Sequence, residues 1–190
     1  MKTKNVVALA VALALAAPLS LFAETRNSGR TDLRHLADEL SRVLGAGRVE
    51  VSGDTPAVES TAEDAVIAAM NRERAAYGLK PLRANRQLAL AAQDRIGDMF
   101  AKHYFNHVAP DGTQPFVWAE QRGYDYRTIG ENLATGYRGA AAVVDGWMHS
   151  PGHRANILGR DFDEVGVAVS DRSPVANYRG PMYVAIYGAR

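Results

Sequence analysis

Two histidines and one carboxylate carry the strongest chemical signal in this chain: His107, Glu131 within Gly130-Glu131-Asn132, and His153 within Ser150-Pro151-Gly152-His153. A neutral imidazole binds metal, shuttles protons or hydrogen-bonds a turn. A carboxylate beside it orients the ring, takes a proton or ligates a cation. The three groups sit in separate segments, each among glycines and aromatics, which predicts a shared polar cleft built from loops rather than a charged surface. Glu131, between a permissive glycine and an amide, reads as a hydrogen-bond hub in a loop. Ser150 adds a hydroxyl in the same short stretch as His149 and His153. It precedes Pro151 and lacks the Gly-rich elbow that presents a serine nucleophile, so its spacing does not activate it. His103 stands four residues before His107, the spacing of paired ligands on a helix. That segment lacks the Glu of the metalloprotease helix motif and a helix is ending there, so His103 reads as a C-terminal histidine favoured by the helix dipole.

The positioning elements follow from periodicity and punctuation. Thr61-Ala62-Glu63-Asp64 reads as a capping box with Asp in the place of Glu. A helix then runs to about Tyr77, with Gly78 and Pro81 closing it. A second helix begins after Asn85, buries Leu88, Ala92, Ile96, Met99 and Phe100, and frays between Lys102 and Phe105. Pro110-Asp111-Gly112 is a turn. Pro115 suits the first turn of a short helix that ends before Gly123. Ala140 to Met148 forms a fourth helix, stopped by Pro151-Gly152, and Ala155 to Leu158 supplies one more turn. The period then changes to two. Val165, Val167 and Val169 alternate with small residues, as do Met182, Val184 and Ile186 with Tyr183, Ala185 and Tyr187, which predicts a hairpin. Helices around a small antiparallel sheet give an α+β domain.

Of the 190 residues, 47% are hydrophobic and 23% charged, enough apolar material for one domain with its own core. Net charge is +1 and the basic residues are scattered, which argues against nucleic acid as a partner. The absence of cysteine excludes disulfides, thiolate zinc sites and a lipid-modified cysteine. Lys2 and Lys4, the apolar run Val6 to Ala17, Pro18 and a small-residue site ending at Ala23 read as a cleaved export signal over residues 1–23. Only if it stayed uncleaved would this stretch act as a membrane anchor; its uncharged length approaches the roughly 20 residues of a spanning helix. Cleavage takes away two lysines and no acid, moving the net charge from +1 to −1. Residues 24–60 form an extension. Thr31 caps a helix with Leu33, Leu36, Leu40, Val43 and Leu44 on one stripe, and a linker with Gly53, Asp54 and Pro56 follows. The main domain covers residues 61–190.

Taken together, Tyr104-Phe105-Asn106-His107, Gly130-Glu131-Asn132, Trp147-Met148 and Ser150-Pro151-Gly152-His153-Arg154-Ala155-Asn156 resemble the bacterial branch of the CAP superfamily, which takes in cysteine-rich secretory proteins, antigen 5 and plant pathogenesis-related proteins. Asn71-Arg72-Glu73-Arg74 and Leu79-Lys80-Pro81-Leu82 fit its first helix and turn, and Val165-Gly166-Val167 and Tyr183 to Gly188 fit its closing strands. The resemblance covers residues 61–190. It implies an α-β-α sandwich, secreted or periplasmic, with a cleft of two histidines and two acids. By motif, His107 and His153 match the histidines and Glu131 the first glutamate. The second acidic position falls at Ser150, so the tetrad is incomplete. His107, Glu131 and His153 would then supply three ligands for a divalent cation such as zinc.

Two classes of function follow. The first, and the one the resemblance favours, is an exported, non-catalytic ligand-binding or interaction domain, with a lipid, cell-wall or protein ligand and a conditional metal cleft. The alternative is a hydrolase acting outside the cytoplasm through Ser150 or a metal-bound water. Tyr104, Tyr124, Tyr126, Tyr137 and Trp118 are candidates for a cleft rim that stacks on sugars or apolar ligands. Trp118 and Trp147 also suit core packing, Trp147 sharing a stripe with Val143 and Val144.

Overall fold

A computed structural model describes residues 60–190, together with the backbone of Asn5–Leu13. The helix expected over Leu33–Leu44, its linker and the signal cleavage site lie outside the described residues. Helix α1 (Ala62–Ala76) starts with the expected reciprocal cap. The Thr61 hydroxyl accepts from the Asp64 amide at 3.1 Å, and the Asp64 carboxylate accepts from the Thr61 amide at 3.3 Å. Gly78 follows with φ 65, a left-handed conformation that costs glycine little. The two-residue strand β2 (Arg83–Ala84) leads to α2 (Arg86–Ala101). The Asn85 side chain caps α2 by accepting from the amides of Gln87 and Leu88. The short α3 (Val117–Gln121) follows, then strand β3 (Thr128–Thr135), α4 (Ala140–Met148), α5 (Pro151–Ile157), β4 (Glu164–Ser170) and β5 (Met182–Ala189).

The sheet order is β1 (Asn5–Leu13), β3, β5, β4, β2; β1 lies within residues 1–23, the segment read as an export signal, so cleavage there would leave a sheet of β3, β5, β4 and β2. The expected hairpin is present: β4 and β5 pair antiparallel, Val167 opposite Ala185. β3 adds antiparallel to the other edge of β5, Glu131 opposite Ile186. The two outer strands, β1 and β2, run parallel to their neighbours, so the sheet is mixed at its edges.

The period of two sorts the core into two layers. Ile129 and Leu133 of β3 and Met182, Val184 and Ile186 of β5 face α2, where they meet Leu88, Ala91, Ala92 and Met99. Ala134, Tyr183, Ala185 and Tyr187 face the opposite layer, with Val66 and Met70 of α1, Val143, Val144 and Trp147 of α4 and Ile157 of α5. The α+β sandwich expected from the sequence is therefore present, with helices covering both faces. Gly166 sets the closeness of one layer. A β-carbon there would lie 2.0 Å from the Ala89 amide nitrogen and 2.1 Å from the Leu88 carbonyl carbon, so α2 rests directly on the backbone of β4.

Three expectations are corrected. Gly130-Glu131-Asn132 is not a loop but the middle of β3, all eight residues of which are buried. Its polar residues hide the strand because their partners come from within the fold rather than from water. The helical turn expected over Ala155 to Leu158 starts earlier, at Pro151. Pro151 occupies the first turn of α5, where its missing N–H costs nothing, and His153 lies within that helix. Tyr104, Tyr124 and Tyr126 are buried rather than on a rim. Each places its hydroxyl on a carboxylate, of Asp98, Glu164 and Glu120 respectively.

Candidate functional site

The site begins where α2 stops. Lys102 closes the helix, and His103, exposed and with φ 54, turns the chain away. His103 and His107 thus do not share a helical face. The Lys102 ammonium bridges the Asp98 carboxylate at 2.7 Å and the Asp111 carboxylate at 2.6 Å, fastening the helix end to the Pro110-Asp111-Gly112 turn. Lys102, with help from Thr113, holds the Asp111 carboxyl well below the usual carboxylate range. Burial, and then the carboxylate of Asp98, pushes the Tyr104 hydroxyl up to about 12, so it stays a donor.

The strand alternation that buries Ile129 and Leu133 against α2 also sends the Glu131 carboxylate to that side. There it meets a partner that the sequence reading passed over. Arg95 is fully buried, its Nε 3.1 Å from Glu131 Oε2. Its guanidinium also donates to the Tyr104 hydroxyl and to the carbonyls of Asn106 and His107, the last at 2.6 Å. It stacks on Trp118, its carbon 4.8 Å from the ring centre. A signal for it exists in the sequence: Arg95 falls on the apolar stripe of Leu88, Ala91, Ala92 and Met99, where a charge is tolerated only with a dedicated partner.

The other Glu131 oxygen, Oε1, lies 2.6 Å from His107 Nδ1. A carboxylate paired with a guanidinium only accepts, so Nδ1 carries a proton, and in the neutral ring Nε2 is the nitrogen with the lone pair. His107 is 7% exposed, and its Nε2 is buried with no hydrogen-bond partner among the described residues. The chain Arg95–Glu131–His107 therefore fixes the ring's orientation and leaves Nε2 enclosed and without a hydrogen bond from the described residues.

His153 belongs to the other layer. It is fully buried, and its ring centre is 6.5 Å from that of Trp147. Its carbonyl accepts from the Asn132 amide at 3.1 Å, and Asn132 also donates to the Tyr187 hydroxyl. Asn156 ties α5 to β3 by donating to the Glu131 carbonyl and to Asn132 Oδ1. The structure thus brings His107 and Glu131 into direct contact, while His153 is joined to β3 through its backbone and through Asn132. Ser150 is half-buried at the start of α5. Among the described residues no hydrogen bond joins its hydroxyl to an imidazole.

The fit to a three-ligand zinc shell is poor as the side chains stand. Both Glu131 oxygens are engaged, by Arg95 and by His107. No three His, Asp or Glu side chains among the described residues are grouped to hold a metal ion.

Comparison with known proteins gives the relationship. Residues 67–187 match the Cysteine-rich secretory protein family, CAP. The chain belongs to the CAP family. The uncharacterized protein YkwD of Bacillus subtilis is 38% identical over 122 residues, 64% of this chain and 48% of that protein. The uncharacterized membrane protein YlbC of the same organism is 30% identical over 121 residues, 64% of this chain and 35% of that protein. The chain thus spans about half or less of the length of these curated relatives. An extracellular SCP-domain protein of Bacillus anthracis superposes with a TM-score of 0.58 at 24% identity, over 68% of this chain and 40% of the other. An outer surface protein of Borrelia burgdorferi does so with a TM-score of 0.58 at 20% identity, over 66% and 90%. At these identities the two superpositions speak for the fold, and the sequence matches place the chain among bacterial CAP proteins. No helix among the described residues is long and apolar enough to cross a membrane.

Proposed function

We propose that this CAP domain is exported and acts by binding rather than by catalysis, and that its ligand engages His107 Nε2. The supporting observation is the buried Nε2, without a hydrogen-bond partner among the described residues, on a ring held through Nδ1 by Glu131 and, behind it, Arg95. A buried nitrogen without a hydrogen bond costs on the order of 1–3 kcal/mol. A ligand that supplies a donor or a Lewis acid recovers that cost. A lipid, cell-wall fragment or protein hydroxyl provides the donor. A divalent cation such as zinc is the weaker candidate: Glu131 behind the ring would raise imidazole basicity, but the described residues group no further ligands beside Nε2 to complete a shell. Ser150, with no imidazole on its hydroxyl among the described residues, lends nothing to the hydrolase alternative.

The test is nitrogen-detected NMR of the histidine rings during titration with zinc, and separately with cell-wall fragments and lipid. The expected result is that the His107 Nε2 resonance moves first and that His107→Ala abolishes the response. Zinc uptake unchanged in both His107→Ala and His153→Ala removes metal from the proposal. Turnover of generic esters or peptides that disappears in His107→Ala overturns the non-catalytic reading.

A further inference from the structure

A second place in the fold has the composition of a binding site and shares no residue with the first. The end of α1, the turn into β2 and the connection from α5 to β4 enclose an open pocket of about 480 Å³, lined by Arg74, Lys80, Arg83 and Arg160 with Asp163 as its one acid. Asp163 is already neutralised by Arg83, at 3.1 Å. Lys80 and Arg160 are exposed and have no ion-pair partner among the described residues.

Arg74 makes the pocket more than a patch of surface charge. It is 2% exposed, on the apolar stripe of Val66 and Met70. Four of its N–H groups are held by carbonyls: Lys80 at 2.8 Å, Ile157 at 2.7 Å, Gly159 at 2.9 Å and Phe162 at 3.3 Å. A guanidinium has five donors, so one N–H is left over. No carboxylate among the described residues meets it, and a buried charge compensated only by dipoles is an expensive arrangement. The same four carbonyl bonds fix the loops that carry Lys80 and Arg160, so the cations on the rim are held in place by the cation beneath them.

We propose that this pocket binds a phosphomonoester. With Asp163 set against Arg83, three positive charges remain around one cavity. That excess matches a dianion with three terminal oxygens better than a single carboxylate, since arginine and lysine both favour phosphate oxygens through charge-assisted bonds. The volume exceeds that of a bare phosphate and leaves room for a small polar group attached to it. A soluble sugar or glycerol phosphate and a lipid phosphate headgroup share this chemistry.

The test is calorimetric titration of the purified protein with inorganic phosphate, glycerol phosphate and acetate at low ionic strength, with flotation on neutral vesicles with and without phosphatidic acid. Saturable binding of both phosphates, weakened about tenfold or more in Lys80→Ala/Arg160→Ala, is the expected result. Both residues are exposed, so an unchanged melting temperature shows that the variant is folded. Asp163→Asn removes the competing acid and should tighten phosphate several-fold. Vesicle binding that requires phosphatidic acid and the same two cations assigns the headgroup as the source, and binding of soluble phosphates alone assigns the free ester. No saturable phosphate binding, equal binding of acetate, or affinity unchanged in the double variant overturns the proposal.

Discussion

Replacing Arg95 with methionine tests the central claim, that one buried guanidinium holds the His107 site together. Both side chains of the Arg95–Glu131 pair are fully buried. Methionine fills similar volume but leaves Glu131 without its cation. Removing one partner of a buried pair costs about 3–5 kcal/mol, because the remaining charge is uncompensated. The carbonyls of Asn106 and His107 lose their donor as well, at about 1 kcal/mol each if water does not replace it. These losses overlap, so about 4–5 kcal/mol is expected, against a total near 5–15 kcal/mol for a domain of this kind. Urea titration followed by tryptophan fluorescence reads the loss, because Trp118 stacks on Arg95. Glu131→Gln in the Arg95→Met background should recover at least 2 kcal/mol relative to the sum of the single variants, since an amide buried without a cation is less costly than a carboxylate. The reasoning fails if Arg95→Met costs under about 1.5 kcal/mol, or if the double-mutant cycle closes to within about 0.5 kcal/mol.

Other outcomes follow from single contacts. Gly166→Ala should cost about 3 kcal/mol or prevent folding, because the new β-carbon meets the backbone of α2. Gly97→Ala, inside α2 with nothing within 4 Å of the added atom, should instead stabilise by about 0.5–1 kcal/mol. Thermal melts of the pair distinguish close packing from helix propensity. Asn85→Ala removes the side chain that caps α2 and should cost about 1 kcal/mol in urea titration. Tyr124→Phe removes the hydroxyl 2.7 Å from Glu164 Oε2 and should cost about 1 kcal/mol near neutrality. Burial works against the Glu164 charge, but hydrogen bonds from Tyr124 and Asn85 outweigh it and hold its carboxyl below the usual range. A depressed carboxylate stabilises the fold above its unfolded pKa, and that contribution is lost as pH falls through the folded value. The Tyr124→Phe deficit should therefore shrink in acid, and a deficit that grows contradicts the assignment.

Local signals were legible in the sequence. The Thr61 cap, Gly78, the start of α2 after Asn85 and the alternation of β4 and β5 each depend on residues a few positions apart, and the structure shows them as read; the α2 stripe holds at Leu88, Ala92 and Met99, whereas Ile96 and Phe100 are only half-buried. The joint motif around His107, Glu131 and His153 also gave the family. β3 was not legible, because Thr128–Thr135 is buried on both faces and its polar side chains erase the alternation that marks a half-buried strand. Arg95 and Arg74 were visible only as charges interrupting apolar stripes.

What the tertiary structure alone decided is where each side chain points. The sequence names Glu131 and Asn132 as neighbours; the pleat sends one carboxylate toward α2 and the next amide toward α5, Glu131 to Arg95 and His107, Asn132 to His153 and Tyr187. Adjacent residues on a strand face opposite layers because successive side chains alternate. The partners waiting in those layers come from up to 55 residues away, and no local pattern encodes that meeting.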